Sequence, residues 1–287
     1  MTREEQLVFC KKCSNKRLDL KQGLICSITN QKADFEVECP NFEIDEKVKK
    51  EIEDKKALIR PNKKRAEIAI KLIYIVMALD MLSIISSYLQ FTLLEAIQNN
   101  EDVSEQMITF NDLREQIIGL LYTVLIIISS ITFIRWFRRA YYNLHHRTEC
   151  RYSEGWAAGG WFVPIASLFI PYQIMKEMWV KTSKLISEAT DNISDTKGTA
   201  LIGIWWTLWI ISNYVGQYII KVAFNSTSVE DYINLTIADI FDSLLGIPLA
   251  LIVIKIIKRY AAKEEKLAEI ENPEGNIEKH LVGTYKF

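Results

Sequence analysis

Continuous apolar runs occupy the middle of the chain, whereas charged residues crowd its two ends. A bilayer crossing takes about 20 mostly apolar residues of helix, and four runs are long enough: 68–89, 117–134, 201–220 and 233–254. The runs do not alternate between apolar and polar positions, which favours helices over strands. Only helices and closed barrels satisfy their backbone groups in lipid. The pattern therefore predicts an all-α integral membrane helix bundle with four crossings.

Residues 156–172 are a fifth apolar stretch, here named the broken segment because glycines and prolines interrupt it. Pro164 and Pro171 each remove a helical hydrogen bond, and the adjacent Gly159 and Gly160 weaken a helix further. We expect a re-entrant or interfacial element that enters the membrane from the cytoplasmic side. A fifth, kinked crossing is the alternative.

The distribution of lysine and arginine among the loops argues against that fifth crossing. These residues accumulate in short cytoplasmic loops. Residues 135–155 and 176–198 are basic, whereas 90–115 and 222–237 hold one arginine between them. Four crossings place every basic loop and both termini on the cytoplasmic side. We therefore expect a multi-pass protein of the plasma or inner membrane with cytoplasmic N- and C-termini.

Charge and cysteine content divide the chain into four parts. Residues 1–44 hold four of the five cysteines, and residues 45–65 mix acidic and basic residues as a solvated helical connector does. Residues 66–260 form the membrane domain, and 261–287 form a cytoplasmic tail. The formal net charge is −1, so the bulk charge indicates no partner.

The four N-terminal cysteines have the chemistry of a metal site. Cys10 and Cys13 form a CxxC pair, and Cys26 and Cys39 follow at equal intervals. Structural zinc prefers four thiolates in a closed tetrahedron, and stable disulfides are disfavoured in the cytosol. A module this small also benefits from a metal that supports its fold. We expect a zinc-ribbon-like module in which these four cysteines hold structural zinc.

Two short strands are expected behind the cysteines, at 24–25 and 35–37. Redox chemistry at the CxxC pair is the alternative to metal binding. The module lacks the βαβ pattern that surrounds a thioredoxin-like motif, so metal binding is favoured.

Two of the predicted crossings carry an acidic residue well inside the apolar run. A carboxylate within the bilayer is costly and marks a candidate functional site. At about 1.5 Å per residue, Asp80 lies roughly 15 Å from the outer end of its helix, and Asp242 lies at a similar depth. We hypothesise that the two form a cation or proton site. The alternative is a protonated carboxyl that hydrogen-bonds a neighbouring helix.

The second crossing continues into an amphipathic helix with a cationic face, which is typical of a headgroup boundary. This face and the broken segment form a candidate ligand or lipid segment: Arg135, Arg138, Arg139, Trp156, Trp161, Pro164, Pro171 and Glu177. Ordinary anchoring of basic residues on the cytoplasmic side is the alternative.

A motif that combines several Trp, Pro and Gly residues at fixed spacing lies between 136 and 179. It comprises Trp136, Arg139-Ala140, Asn143, Ser153-x-Gly155-Trp156-Ala157, Trp161-Phe162-x-Pro164-Ile165, Pro171-Tyr172, Glu177 and Trp179. These residues resemble an uncharacterised bacterial membrane family, domain of unknown function 4328, over about residues 66–260. The family pattern has proline, tryptophan and asparagine where this chain has Glu154, Gly160 and Ser167. The resemblance implies a multi-pass bacterial membrane protein and implies no activity.

The sequence favours a non-catalytic protein. It contains no P-loop, dinucleotide-binding, zinc-protease or serine-hydrolase motif. The cysteine module lacks the aromatic platform of a single-stranded nucleic-acid binder, so we expect no nucleic acid as partner.

Two functions remain open. The first is a membrane adaptor or sensor, in which the zinc module binds a cytosolic protein partner and the bundle senses a lipid or a small ligand. The second is a small channel or transporter-like protein that uses Asp80 and Asp242. Four crossings make a thin pore, so the second function calls for an oligomer.

Overall fold

The computed structural model describes residues 3–36, 39–190 and 198–271. The chain divides into two compact units, Met1–Ile59 and Arg60–Phe287. They are named the cysteine unit and the membrane unit below, and each is described by itself.

In its described residues, 3–36 and 39–59, the cysteine unit contains two helices and one β-hairpin: α1 (Arg3–Lys12), β1 (Lys16–Asp19), β2 (Gly23–Cys26) and α2 (Glu46–Ala57). The strands pair antiparallel, with Asp19 opposite Gly23. Gly23 has a φ of 80°, a left-handed conformation that glycine adopts without strain. The Asp19 carboxylate accepts backbone hydrogen bonds from Lys21 and Gln22, both at 2.9 Å, and so closes the turn between the strands.

A small apolar core supports the hairpin. Ile25 of β2 is 2% exposed. The ring of Phe9 contacts those of Phe35 and Phe42 edge to face, at centroid distances of 5.8 and 6.1 Å. The strand predicted around Ile25 therefore lies in β2. Phe35, from the second predicted strand, belongs to no strand, and Val37 lies outside the described residues.

The charged connector predicted for residues 45–65 is interrupted. Its helix α2 ends at Ala57, and the next helix begins at Lys63. Pro61 lies between them, and proline disfavours a helical conformation in the residue before it. The boundary between the two units lies just before this proline.

The membrane unit is helical: α3 (Lys63–Gln98), α4 (Glu105–His145), α5 (Trp156–Gly159), α6 (Ile170–Thr190), α7 (Gly198–Ala223) and α8 (Val229–Glu271). Among the described residues, α3, α4 and α8 are the helices long and apolar enough to cross a membrane. The predicted crossing at 201–220 lies in α7, which is not one of the three. Its tryptophan, asparagine, glutamine and tyrosine side chains lower its mean hydropathy.

Helix α3 packs antiparallel to both α4 and α8. Near its start, Asn62 donates to Glu264 of α8 at 3.0 Å, and further along, Gln90 donates to Thr236 of α8 at 3.3 Å. Its contacts with α4 also run in opposite directions along the two helices. The end of the bundle at Asn62 is named the inner end below, and the end at Gln90 is named the outer end.

The apolar core lies at the inner end, where α4, α6 and α8 meet. Its largest fully buried side chains include Trp136, Tyr141, Met178, Trp179 and Tyr260. By contrast, 6% of the most apolar window of α4 is buried inside the structure. The side chains there, such as Leu120 and Ile127, are exposed, which is expected of a helix that faces lipid.

The broken segment forms short turns instead of one long helix. It contains α5 and a 3₁₀ turn, Ala166–Leu168, before α6 begins. The Tyr141 hydroxyl accepts a hydrogen bond from the backbone of Tyr152 at 3.1 Å and donates to Glu177 of α6 at 2.8 Å. Both ends of the segment therefore lie at the inner end of the bundle. Phe162 and Ile165, at its middle, are 76% and 77% exposed.

The region predicted as a cytoplasmic tail, 261–287, begins inside α8, which continues to Glu271. Arg147 donates to both carboxylate oxygens of Glu271, at distances from 2.9 to 3.1 Å. This two-point ion pair fixes the end of α8 against the end of α4. Residues 272–287 lie outside the described part of the chain.

Candidate functional site

The four predicted zinc ligands lie around one cavity. Cys10, Cys13, Cys26 and Cys39 all line a space of about 130 Å³ in the cysteine unit. Burial raises the pKa of the Cys10 thiol; Arg3 opposes this effect, and the other three cysteines add to it. The thiols are therefore close enough to interact electrostatically.

The environment of Cys26 favours its thiolate. Its pKa is lowered, chiefly because the backbone N–H of Thr29 donates a hydrogen bond to the sulfur, and the N–H of Ile28 also contributes. A thiolate is the form that binds metals. Yet no three His, Cys, Asp or Glu side chains in the described ranges are arranged so that they could hold a metal ion. The four cysteines thus share a cavity without the geometry of a metal site.

Asp80 lies in the interior of the bundle, between α4 and α8. It is 2% exposed, and the Tyr122 hydroxyl of α4 hydrogen-bonds it. Gly246 of α8 lies against it, since a Cβ atom there would be 2.8 Å from the Oδ2 atom. Its Oδ1 atom has no hydrogen-bond partner among the described residues, so half of this carboxyl group is unsatisfied.

Asp242 lies one helical turn from Gly246, on the side toward the outer end. The Ser212 hydroxyl of α7 donates to its Oδ1 atom at 2.8 Å. Asp242 lies within electrostatic range of Asp80, so the structure brings the predicted pair together. Asp239 extends the acidic group toward Glu115 of α4.

The outer end holds a network around Arg114. Its guanidinium donates to Ser86 at 2.9 Å and to Asn111 at 2.6 Å. It also pairs with Glu115 at 3.1 Å. Arg114 is the one arginine of the stretch 90–115, which the charge distribution predicts as a loop; it belongs instead to α4 and links that helix to α3.

A half-buried glutamate at the inner end was not identified from the sequence. The two oxygens of Glu264 accept hydrogen bonds from Asn143 at 2.8 Å and from Asn62 at 3.0 Å. Asn143 also exchanges hydrogen bonds with the backbone of Arg60, at 2.9 and 3.1 Å. Glu264 lies in a charged stretch that resembles a solvated face. The available signal was Asn143, a polar residue in the apolar motif.

Glu177 joins α6 to the loop after α4. It accepts hydrogen bonds from the Tyr141 hydroxyl and the Arg151 backbone, both at 2.8 Å, and pairs with Lys181 at 2.6 Å. Burial alone would raise the pKa of Glu177, but these three donors together lower it. Burial raises the pKa of the nearby Cys150 thiol to about 11, and the charge of Glu177 contributes to this rise.

The three predicted arginines lie along the last turns of α4, and two of them have a side-chain partner. Arg138 pairs with Glu154 at 3.3 Å in an exposed position. The guanidinium of Arg139 lies over the Tyr142 ring, 5.6 Å from its centroid. Arg135 is exposed.

The remaining residues of the candidate segment point in different directions. Trp156 and Pro164 are exposed, whereas Pro171 is buried in the first turn of α6. Trp161 packs into an aromatic cluster with Phe133, Phe137, Trp205, Trp206 and Trp209. Its indole Nε1 is buried, with no hydrogen-bond partner in the described residues. The segment therefore divides between an aromatic core and an exposed surface.

Residues 99–262 match the family described as Domain of unknown function (DUF4328). The chain belongs to this family. The predicted resemblance is confirmed, although the DUF4328 match begins at residue 99, in the connection before α4, instead of at residue 66. The match therefore includes Tyr122 and Asp242 but excludes Asp80 and the cysteine unit.

No curated protein and no solved structure matches the chain. The description of the DUF4328 family names no activity. Functional inference for this chain therefore rests on its own residues.

Proposed function

We propose that this chain is a non-catalytic adaptor or sensor of the cell membrane, whose cysteine unit binds a cytosolic protein partner. The observation that carries this proposal is that the cysteine unit is compact by itself and that its four cysteines line one cavity. A separate small unit on a helical membrane bundle suits a protein that recruits or reports to a soluble partner.

We also propose that Cys10, Cys13, Cys26 and Cys39 hold structural zinc. A unit of this size buries little apolar surface, and a structural zinc ion contributes folding free energy directly. The lowered pKa of Cys26 supports the proposal because metal ligands bind as thiolates. Zinc binding would require the four thiols to rearrange, since their present arrangement does not match a metal site.

A fourth crossing by α7 completes the proposed topology. Helix α6 contacts the inner end of α8 through a hydrogen bond between Thr182 and Tyr260 at 3.2 Å. Helix α8 begins near the outer end, where Thr236 meets α3. Helix α7 is the described helix that connects these two levels, and Ser212 contacts α8 partway along. Four crossings leave both termini on the cytoplasmic side.

The metal content of the purified full-length chain tests the zinc proposal. We expect about one zinc ion per chain, lost in the double variant Cys10→Ser/Cys13→Ser and retained in the matched control Cys150→Ser. Inductively coupled plasma mass spectrometry measures this ratio. If the purified unaltered chain contained no zinc, the zinc proposal would be rejected.

Cross-linking in intact cells tests the adaptor proposal with the same variants. We expect one cytosolic protein to be cross-linked to the unaltered chain and to Cys150→Ser, and to be lost from Cys10→Ser/Cys13→Ser. The same cross-linked proteins in all three samples would contradict a partner site on the cysteine unit.

A second candidate function, a small channel or transporter, is favoured by one observation. The Oδ1 atom of Asp80 is buried and has no hydrogen-bond partner in the described ranges, and Asp242 lies within electrostatic range. Unsatisfied buried carboxylates mark ion or proton pathways in membrane proteins. Asp80→Asn, which keeps the shape of the side chain but cannot ionise, separates this function from a purely structural carboxyl.

A further inference from the structure

Five arginines from α3, α4 and the residues before α3 converge at the inner end of the bundle. The charge of Arg65 interacts with those of all four others: Arg60, Arg135, Arg138 and Arg139. These residues are named the arginine cluster. The sequence placed three of them on one helical face, and the fold adds Arg60 and Arg65 from a different part of the chain.

Contacts within the fold position several of these guanidinium groups. Arg65 donates from Nη1 to the backbone carbonyl of Arg135 at 3.0 Å. Arg60 and Arg139 both lie over the ring of Tyr142, at 5.3 and 5.6 Å from its centroid. The arrangement therefore depends on α3 packing against α4 and is not a property of one flexible loop.

The positive charge of the cluster is poorly neutralised by the protein. In the described ranges, Glu154 is the one carboxylate that forms an ion pair with the cluster, and its pair with Arg138 is exposed, so it contributes little. Glu264 lies within electrostatic range of Arg139, but asparagine side chains already occupy both of its oxygens. Like charges held together repel, and a bound anion with several charges would offset that repulsion.

The chemistry of the cluster favours phosphate. Guanidinium groups bind phosphate oxygens with two parallel hydrogen bonds, which ammonium groups cannot do. The broken segment begins two residues after Glu154, the partner of Arg138, and its side chains Phe162, Ile165 and Phe169 are 76%, 77% and 56% exposed. The contact of Trp161 with Phe133 joins this segment to the last apolar turns of α4. A phosphate next to an apolar surface matches a phospholipid.

We propose that the arginine cluster binds the phosphate groups of anionic phospholipid headgroups, with the exposed apolar side chains of the broken segment beside the acyl chains. This site does not depend on the cysteine unit, so it can fail or succeed independently of the adaptor proposal. It differs from general anchoring of basic residues because it requires particular arginines.

Lipid retention by the full-length chain tests the site. Purified protein in detergent is mixed with diphosphatidylglycerol or with phosphatidylcholine of the same acyl chains, and bound lipid is counted by native mass spectrometry. We expect the unaltered chain to retain the anionic lipid preferentially. In the double variant Arg65→Gln/Arg139→Gln, this retention should weaken about fivefold for each arginine removed. The matched control is Lys255→Gln/Arg259→Gln, which removes the same charge from exposed positions on α8.

Equal weakening in the two double variants would overturn the proposal, because it would mean that charge acts without a defined site. Arg139→Lys guards against misfolding, since it keeps the charge but loses the two-point geometry; we expect weaker retention with unchanged thermal unfolding. Unchanged retention in both Arg139→Lys and Arg65→Gln/Arg139→Gln would also overturn the site. Displacement of the lipid by inorganic pyrophosphate at equal concentration would instead assign the cluster to a soluble phosphate compound.

Discussion

At the scale of single residues, Asp80 has the most consequential environment in the membrane unit. Tyr122 hydrogen-bonds it, Gly246 lies against it, and one of its oxygens has no partner in the part of the chain that the structure describes. A protonated carboxyl in this place would act as a polar contact between helices. An ionised one would attract a cation or exchange a proton with Asp242. Replacing the carboxyl group with an amide would preserve the first role and abolish the second.

Asp80→Asn separates these roles because asparagine keeps the shape and hydrogen bonding but cannot ionise. If Asp80 belongs to a cation or proton path, we expect flux in proteoliposomes to fall by about tenfold or more, since charge-assisted interactions contribute about 1.5–3 kcal/mol. A pH-sensitive dye and a cation-sensitive dye measure the flux, and Asp242→Asn should have the same effect.

The matched control for flux is Glu230→Gln, which removes one exposed carboxylate from the start of α8. We expect it to leave flux unchanged. If Asp80→Asn also left flux unchanged while altering thermal unfolding, Asp80 would be a structural contact and the channel or transporter function would be rejected.

At the scale of elements, the sequence pattern predicted the positions of the helices better than it predicted the contacts between their side chains. The runs at 68–89 and 233–254 lie inside α3 and α8 because an apolar run of that length has few other stable forms in lipid. Gly246 and Ser212 carried no signal, since their roles depend on which helix packs beside them. Glu264 was missed for the same reason: its hydrogen bonds come from two asparagines on other segments, and its own neighbours in the sequence are charged.

Glu177 connects three elements, and Glu177→Gln should loosen the loop between α4 and α6. The variant loses the ion pair with Lys181 at 2.6 Å, and we expect the free energy of unfolding to fall by about 1–3 kcal/mol. Alkylation of Cys150 by iodoacetamide at pH 8 should also accelerate. The variant lacks the Glu177 charge that helps to raise the pKa of the Cys150 thiol, and the loop that covers Cys150 would open more often.

The effect of Glu177 also has a defined pH dependence. Because the folded protein lowers its pKa, its stabilising contribution is present above the ordinary glutamate pKa and is lost as the pH falls through the lowered value. The free energies of unfolding of the unaltered chain and of Glu177→Gln should therefore converge in acid. Glu188→Gln, on the same helix, is the control: its pair with Lys184 is exposed at 3.6 Å, and it should change neither measurement.

At the scale of the whole molecule, the direction of each helix constrains the number of crossings. Asn62, at the start of α3, and Glu264, near the end of α8, meet at the inner end. A chain that begins and ends its bundle on one side must cross the membrane an even number of times. Three described helices have sufficient length and mean hydropathy to cross, so we propose one more crossing, by α7, which lies at the right place in the sequence.

Cysteine labelling in intact cells tests this topology. In a background in which all five native cysteines are replaced by serine, single substitutions Glu101→Cys, Glu188→Cys and Glu230→Cys place thiols before α4, near the end of α6 and at the start of α8. We expect a membrane-impermeant maleimide to label the first and third positions from outside and to label the second only after the cells are opened. Because α7 alone among the described helices separates the second position from the third, the same sidedness for both would mean that α7 does not cross. External labelling of Glu188→Cys together with internal labelling of Glu230→Cys would mean that the broken segment crosses, and the depth match between Asp80 and Asp242 would then no longer support a shared site.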